Sequence, residues 1–350
     1  MRNGELVEVT FVGHYCDSSL GQGMSRYCYN ILKEIEKQGV TAHSIYCNPK
    51  EHSRMKSGID FFLKIPYNLL FSSKRIGIYH LTAPQAGFAV PIFKKLRKNK
   101  VVTTIYDLHP FFYASHTPIA SIVGSAIKTA SKSSDHLVSI SSLVTEDIVT
   151  HFGIEREKIT DTPIGVDPRF RAFPKNNDIF TIGYLGGFGK NKNVDLVLKA
   201  YSIFEKEQSG QSRLLIYGKG ALLEECKHLA KDLKIKNIRF MGFAPEDKIV
   251  EIYNSFDLFV FPSQYEGFGL PILEAQKCGV PTIVLSGARI PKEVTKYCPY
   301  GKDEYEIAEQ MKTIFNKGFR FSPEHLTHIK EFTWENCAEK TLLVYRKLSE

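Results

Sequence analysis

The chain has 350 residues, enough for two compact units of about 100 to 200 residues each, so a small module stapled by disulfides or a metal is excluded. Apolar residues make up 43%, charged residues 24% and aromatic residues 12%, a profile that excludes a long disordered tail. Lys and Arg number 46 against 38 Asp and Glu, and the resulting +8 points toward an anionic partner without naming one.

The start, MRNGELVEVTFVG, runs from a polar lead into a strand with no basic, apolar secretory pattern. Cys16, Cys28, Cys47, Cys226, Cys278, Cys298 and Cys337 stand alone, without CxxC or Cys/His spacing, so neither a disulfide framework nor a zinc site is expected. No apolar run approaches the roughly 18 residues of a spanning helix. These features predict a reducing, cytoplasmic setting.

Strand-like runs fall at Val7 to Val12, Val40 to Tyr46, Ile76 to His80, Val101 to Tyr106 and His136 to Ile140. A helix from Gly23 to Gln38 follows the first and aligns Tyr27, Ile31 and Ile35 on one face. The stretch DPRFRAFPKNND, Asp167 to Asp178, interrupts the rhythm as a linker. Strands then resume at Phe180 to Leu185, Arg213 to Tyr217, Ile238 to Met241, Leu258 to Phe261 and Thr282 to Leu285, and Trp334 to Leu348 reads as a closing amphipathic helix. The fold class is α/β, with two doubly wound parallel sheets. Domains are expected over residues 1–172 and 173–332, with a C-terminal helix over 333–350. Ligands of such sheets bind at the carboxyl ends of strands, so functional residues belong in the loops that follow them.

The segment FPSQYEGFGLPILEAQKCGVPTIV, residues 261 to 284, is the most informative. Pro271 suits the first turn of a helix, and the amides of Phe268, Gly269 and Leu270 would converge at its amino end as an anion site. Glu266 precedes that turn and Glu274 follows it. Two carboxylates there fit hydroxyl groups of a polyol better than a phosphate. On spacing alone, a solvated Glu266 and a surface-helical Glu274 fit equally well.

This segment resembles the Glu-x7-Glu signature of the large retaining glycosyltransferase family 4, whose fold is known as GT-B. Further segments resemble that family in the required order: GQGMSRYCYNILKEIEKQG, TIYDLHPFF, DHLVSISSLVTEDIVTHFGIEREKI, IGVDPRFR, YLGGFGKNKNVDLVLKAY, LLIYGKGALLEECKHLA and IRFMGFAPEDKIVEIYNSFDLFVFPS. The resemblance implies two Rossmann-like domains facing each other across a cleft, the first binding acceptor and the second donor, with the C-terminal helix packing back on the first. It implies Glu274 on the ribose hydroxyls, a catalytic Glu266 on the transferred sugar, Lys192 on the diphosphate, and backbone contacts from Phe268, Gly269 and Leu270. Gly218 in YGKG shapes the nucleotide side.

Two departures matter. Gly186-Gly187 stands where the family carries Gly-Arg, and Lys190 is the nearby cation left to compensate, without the bidentate geometry of a guanidinium. Tyr106 replaces the histidine of the HDL-type loop, with Asp107 as the candidate catalytic or acceptor-binding carboxylate and His109 beyond it. Gly21, Gly23 and Arg26 are acceptor-side candidates, although a tight turn needs glycine whatever the ligand. His14, His80, His116 and His136 lack ligand spacing and read as polar lining or surface.

GQGMSR breaks the dinucleotide G-x-G-x-x-G pattern, and Gly189-Lys190 fails as a P-loop. Asp-x-Asp is absent, so no metal and no cofactor are expected beyond a nucleoside diphosphate sugar as donor. No motif supports a nucleic-acid partner. The expectation is transfer of a hexosyl unit, with mannose favoured, to a glycan or lipid-linked acceptor with retention. The alternative is a catalytically weak nucleotide-sugar or glycan binding protein of the same fold. Residues 51 to 100 hold ten Lys and Arg against two acidic residues, and FFLKIPYNLLFSSKR and PIFKKLRKNK mix them with apolar residues. That pattern predicts a peripheral position on the anionic inner face of the cell membrane, with Pro66 breaking the first stretch as a helix.

Overall fold

A computed structural model describes residues 8–13, 23–46, 60–71, 77–112, 118–175, 178–208 and 210–350. The chain divides into two units, Met1–Gly165 with Phe332–Glu350, and Val166–Glu331. Unit 1 carries β1 (Glu8–Gly13), β2 (Thr41–Tyr46), β3 (Ile78–Leu81), β4 (Lys100–Ile105), β5 (His136–Ser139) and β6 (Ile159–Asp161) in the order β2-β1-β3-β4-β5-β6. Unit 2 carries β7 (Phe180–Leu185), β8 (Ser212–Tyr217), β9 (Ile238–Gly242), β10 (Leu258–Phe261), β11 (Thr282–Leu285) and β12 (Tyr300–Gly301) in the order β12-β11-β10-β7-β8-β9. The strand pairs are parallel.

Burial on both sheet faces explains the continuous apolar runs: Val101, Val102, Thr103, Thr104 and Ile105 of β4 are all buried. In each sheet the order reverses once, between β1 and β3 in unit 1 and between β7 and β10 in unit 2. Crossover connections leave in opposite directions there, and the carboxyl ends of the strands at such a switch point are where open α/β sheets bind ligands.

The Gly23–Lys37 helix buries Tyr27, Cys28, Ile31 and Ile35 and ends on Lys37, a cation placed where the helix dipole favours one. The expected break at Pro66 is absent. A π-helical turn over Asp60–Lys64 passes directly into an α-helix over Ile65–Phe71. Pro66 therefore lies in the first α turn, where a missing N–H is tolerated.

The Trp334–Ser349 helix, capped by Thr333 accepting from Asn336 N at 3.1 Å, belongs to unit 1. Its Trp334 ring meets Tyr27 edge-on at 6.0 Å. A Cβ on Gly165 would sit 2.2 Å from Trp334 N, so only glycine lets the two backbones meet. Deeper in, Tyr345 shares a hydrogen bond with His80 Nδ1, and His80 Nε2 bonds Thr104 Oγ1 at 2.7 Å. His80 is fully buried, a core residue rather than the lining or surface residue read from sequence. His136 is also buried and bonds Thr160 Oγ1 at 2.9 Å.

Burial pushes His80 down to about 3, so the imidazole is neutral in the folded state. An unfolded histidine protonates near 6.5, so between roughly pH 6.5 and 3 the unfolded chain binds more protons and stability falls with pH. At pH 5 the loss from this residue is about 2 kcal/mol. Urea unfolding at pH 7.5 and pH 5 should therefore show a drop that is smaller by that amount in His80→Gln. Identical drops in both proteins would refute a neutral, buried His80.

Candidate functional site

The order reversal in unit 2 brings together the loops that follow β7 and β10. Within the first, Lys190–Lys192 forms a 3-10 turn that ends on Asn193 in the left-handed region, φ 46°. Asn193 Nδ2 donates to Pro262 O at 3.1 Å, and Asn191 O accepts from Gln264 N at 2.8 Å and from Ser263 Oγ at 3.4 Å. The two loops are thus tied at three points. On the far side, Glu266 N donates to Arg289 O at 3.0 Å and Arg289 N to Gln264 O at 2.8 Å.

These ties set the Lys192 ammonium directly on Glu266 Oε1. The side chains are 25% and 18% exposed, so the pair is reachable from solvent. Lys192 Nζ also lies 5.8 Å from the centre of the Phe261 ring. Close by, Tyr184 OH donates to Gly187 O at 2.7 Å. Burial, reinforced by the charge of Glu266, holds this phenol far above the usual tyrosine range, so it remains a donor.

Gly269 caps the Leu270–Lys277 helix with φ 99° and Pro271 in its first turn. That φ suits glycine; Pro271 carries no N–H, and Ile272 N donates to Gly269 O at 3.0 Å. Phe268 is 4% exposed and anchors the turn by its side chain. Glu274 is also 4% exposed, which rules out a surface-helical position, and its Oε2 accepts from Tyr253 OH at 3.0 Å.

Gly218 and Gly220 serve backbone packing. A Cβ on Gly218 would lie 1.7 Å from Gly186 O, and one on Gly220 would lie 2.7 Å from Phe188 N. At Gly187 a Cβ would meet only Lys219 O, at 3.9 Å. Lys190 lines a cavity of about 350 Å³ with Phe188, Asn193, Asp195, Glu225 and Cys226, apart from the Lys192–Glu266 pair.

In unit 1, Gly21 lies outside the described residues, while Gly23 opens its helix and Arg26 is half-buried. Tyr106 donates to Thr82 O at 3.0 Å and packs edge-on against Tyr27, and Asp107 Oδ1 accepts from His109 N at 2.9 Å. All three follow β4, at the carboxyl edge of the sheet. Among the described residues, no group of three His, Cys, Asp or Glu side chains could hold a metal ion. Tyr253, Asn193 and Arg289 were missed in the sequence. Asn193 beside the GK pair was the one signal there, since asparagine tolerates the left-handed region.

Residues 21–170 match the family model for Glycosyltransferase Family 4, and residues 167–312 match that for Glycosyl transferases group 1. The chain is a glycosyltransferase. It is 25% identical to O-antigen chain mannosyltransferase B of Escherichia coli over 72% of this chain and 71% of that one. It is 29% identical to the serotype-specific mannosyltransferase WbdA of the same species, over 61% of this chain but only 26% of that one. A glycosyltransferase from Rickettsia africae ESF-5 superposes with a TM-score of 0.71 at 15% identity, over 99% of both chains. Sucrose-phosphate synthase from Thermosynechococcus elongatus gives 0.73 at 16% identity, over 98% of this chain and 99% of that one. The fold is GT-B, two Rossmann-like domains, and the glycosyltransferase depends on a nucleotide sugar.

The two glycines of the glycosyltransferase that flank these loops should respond oppositely to a methyl group. Gly218→Ala, at φ 145° and in collision with Gly186 O, should cost at least about 2 kcal/mol in urea unfolding. Gly187→Ala should stay within about 0.5 kcal/mol. Equal stability of the two variants would contradict the backbone contact.

Proposed function

We propose that this glycosyltransferase moves a hexosyl unit, mannose first among candidates, from a nucleoside diphosphate sugar to a hydroxyl of a glycan or lipid-linked acceptor, with retention at the anomeric carbon. The observation that carries this reading is the Lys192–Glu266 pair beside the capped amino end of the Leu270–Lys277 helix. Lys192 brings a full positive charge and the helix end a partial one, which together stabilise the negative charge that grows on a leaving diphosphate. Glu266 accepts sugar hydroxyls. Glu274, oriented by Tyr253, accepts from the ribose. The mannosyltransferase names of both Escherichia coli relatives support the choice of sugar. No divalent metal is required in this reading, because the cation at the diphosphate is a side chain.

We further propose that unit 1 docks on an anionic membrane. Leu63, Tyr67 and Phe71, then Ile92 and Leu96, then Ile119 and Ile122, are 48–69% exposed on three helices that pack side by side. Lys95, Arg97, Lys98 and Lys100 are exposed nearby. Such apolar side chains insert at the headgroup boundary while each adjacent cation contributes about 1 kcal/mol. Among the described residues no helix is long and apolar enough to cross a membrane.

A panel of labelled nucleotide sugars with product analysis tests the reaction. Lys192→Ala should lower kcat/KM at least tenfold, about 1.4 kcal/mol of transition-state stabilisation, and activity should persist in EDTA. Glu274→Ala should raise the donor KM, and Glu266→Ala should mainly lower kcat. Loss of activity in EDTA with recovery on adding Mn²⁺ would overturn the role given to Lys192. For the membrane, flotation should occur with anionic vesicles at low salt and decline at high salt. Failure to float with either anionic or neutral vesicles would reject the docking face.

A further inference from the structure

At the opposite edge of the unit 2 sheet, the amino ends of β7, β8 and β9 frame a cavity of about 220 Å³ lined by Arg213, Lys236 and Arg239 together with Ser212 and Asn237. Sheet geometry explains the convergence. Leu214 and Ile216 of β8, and Ile238 and Phe240 of β9, pack into one core, so alternation turns Arg213 and Arg239 to the other face. Leu215 pairs with Arg239 in register, which leaves Arg213 one diagonal step away. Lys236 comes from the turn just before β9, the edge strand of the sheet.

Among the described residues, none of these three cations takes part in an ion pair. Arg213 Nε donates to Thr181 Oγ1 at 2.9 Å, which holds the guanidinium at the wall of the opening and uses only one of its three nitrogens. The acidic side chain tied to this turn, Glu205, is engaged by Lys236 N at 2.9 Å and Asn237 N at 2.7 Å. Three like charges around one opening repel, and a bound anion turns that repulsion into attraction. Two of them are guanidinium groups, whose planar forks match phosphoryl oxygens bidentately.

We propose that Arg213, Lys236 and Arg239 form a second anion site in unit 2, for the phosphoryl group of a phosphorylated solute or lipid headgroup. It is separate from the Lys192 site. Lys192 follows the carboxyl end of β7, whereas Arg213, Lys236 and Arg239 lie at the amino ends of β8 and β9, the opposite edge of the same parallel sheet. The site stands independently of the reaction proposed above.

Calorimetric titration with inorganic pyrophosphate at low salt tests it in three full-length proteins. The wild type should show a saturable component that survives in Lys192→Ala. In Lys236→Gln/Arg239→Gln, both exposed positions that leave the Arg213–Thr181 bond intact, this component should weaken at least tenfold at unchanged melting temperature and unchanged turnover. Adding vesicles with phosphatidylinositol phosphate assigns the source: displacement of pyrophosphate points to a headgroup, and retention to a solute. Pyrophosphate binding by the double variant equal to that of the wild type would overturn the proposal. So would the absence of any saturable component beyond the one that Lys192→Ala removes. If Lys192→Ala instead removes nothing, the diphosphate role of Lys192 fails while this site stands.

Discussion

The loops after β7 and β10 are neighbours because the sheet of unit 2 reverses its strand order between those two strands, and the rest of this site depends on that adjacency. Asn191 through its backbone carbonyl and Asn193 through its side-chain amide fasten one loop to the other, which gives the ammonium of Lys192 its place. A partly exposed ion pair of this kind is worth about 0 to 1 kcal/mol, too little to explain the fold. Its value is positional. Glu266 keeps a long, flexible lysine in one place, so less conformational entropy is lost in any further contact that the ammonium makes.

Behind that pair the chain has no room for side chains. The Gly218–Gly220 stretch lies against Gly186 and Phe188 as backbone on backbone, and it sets the height of the β7 loop over the sheet. Gly187, next to this contact, faces enough space for a side chain yet carries none. The cationic charge on this loop therefore rests on Lys190 and Lys192, and only Lys192 is directed at Glu266.

The strand runs and the Gly23 helix were legible in the sequence because burial on both faces writes itself as continuous apolar stretches. Ile159–Asp161 and Tyr300–Gly301 were not, since three and two residues are too few to show a pattern. The loop with Glu266, Gly269 and Pro271 was readable from local turn chemistry. Its partners were not: Tyr253 precedes Glu274 by 21 residues, and Lys192 lies 74 residues from Glu266. Such pairings follow from topology, which periodicity does not encode. The same limit hid His80, whose partner Tyr345 is 265 residues away. At Gly218 the structure adds a reason that the sequence did not carry, since a Cβ there would collide with Gly186 O.

The return of the Trp334–Ser349 helix to unit 1 makes that unit discontinuous, interrupted by the whole of Val166–Glu331. Synthesis proceeds from the amino end, so β1 to β6 emerge first yet wait for the segment beyond unit 2 to supply Tyr345 and Trp334. Unit 2 has its full sequence available earlier. Unit 1 therefore cannot complete its fold before the sequence of unit 2 has been made. Until Tyr345 has been synthesised the His80 ring lacks its phenol partner.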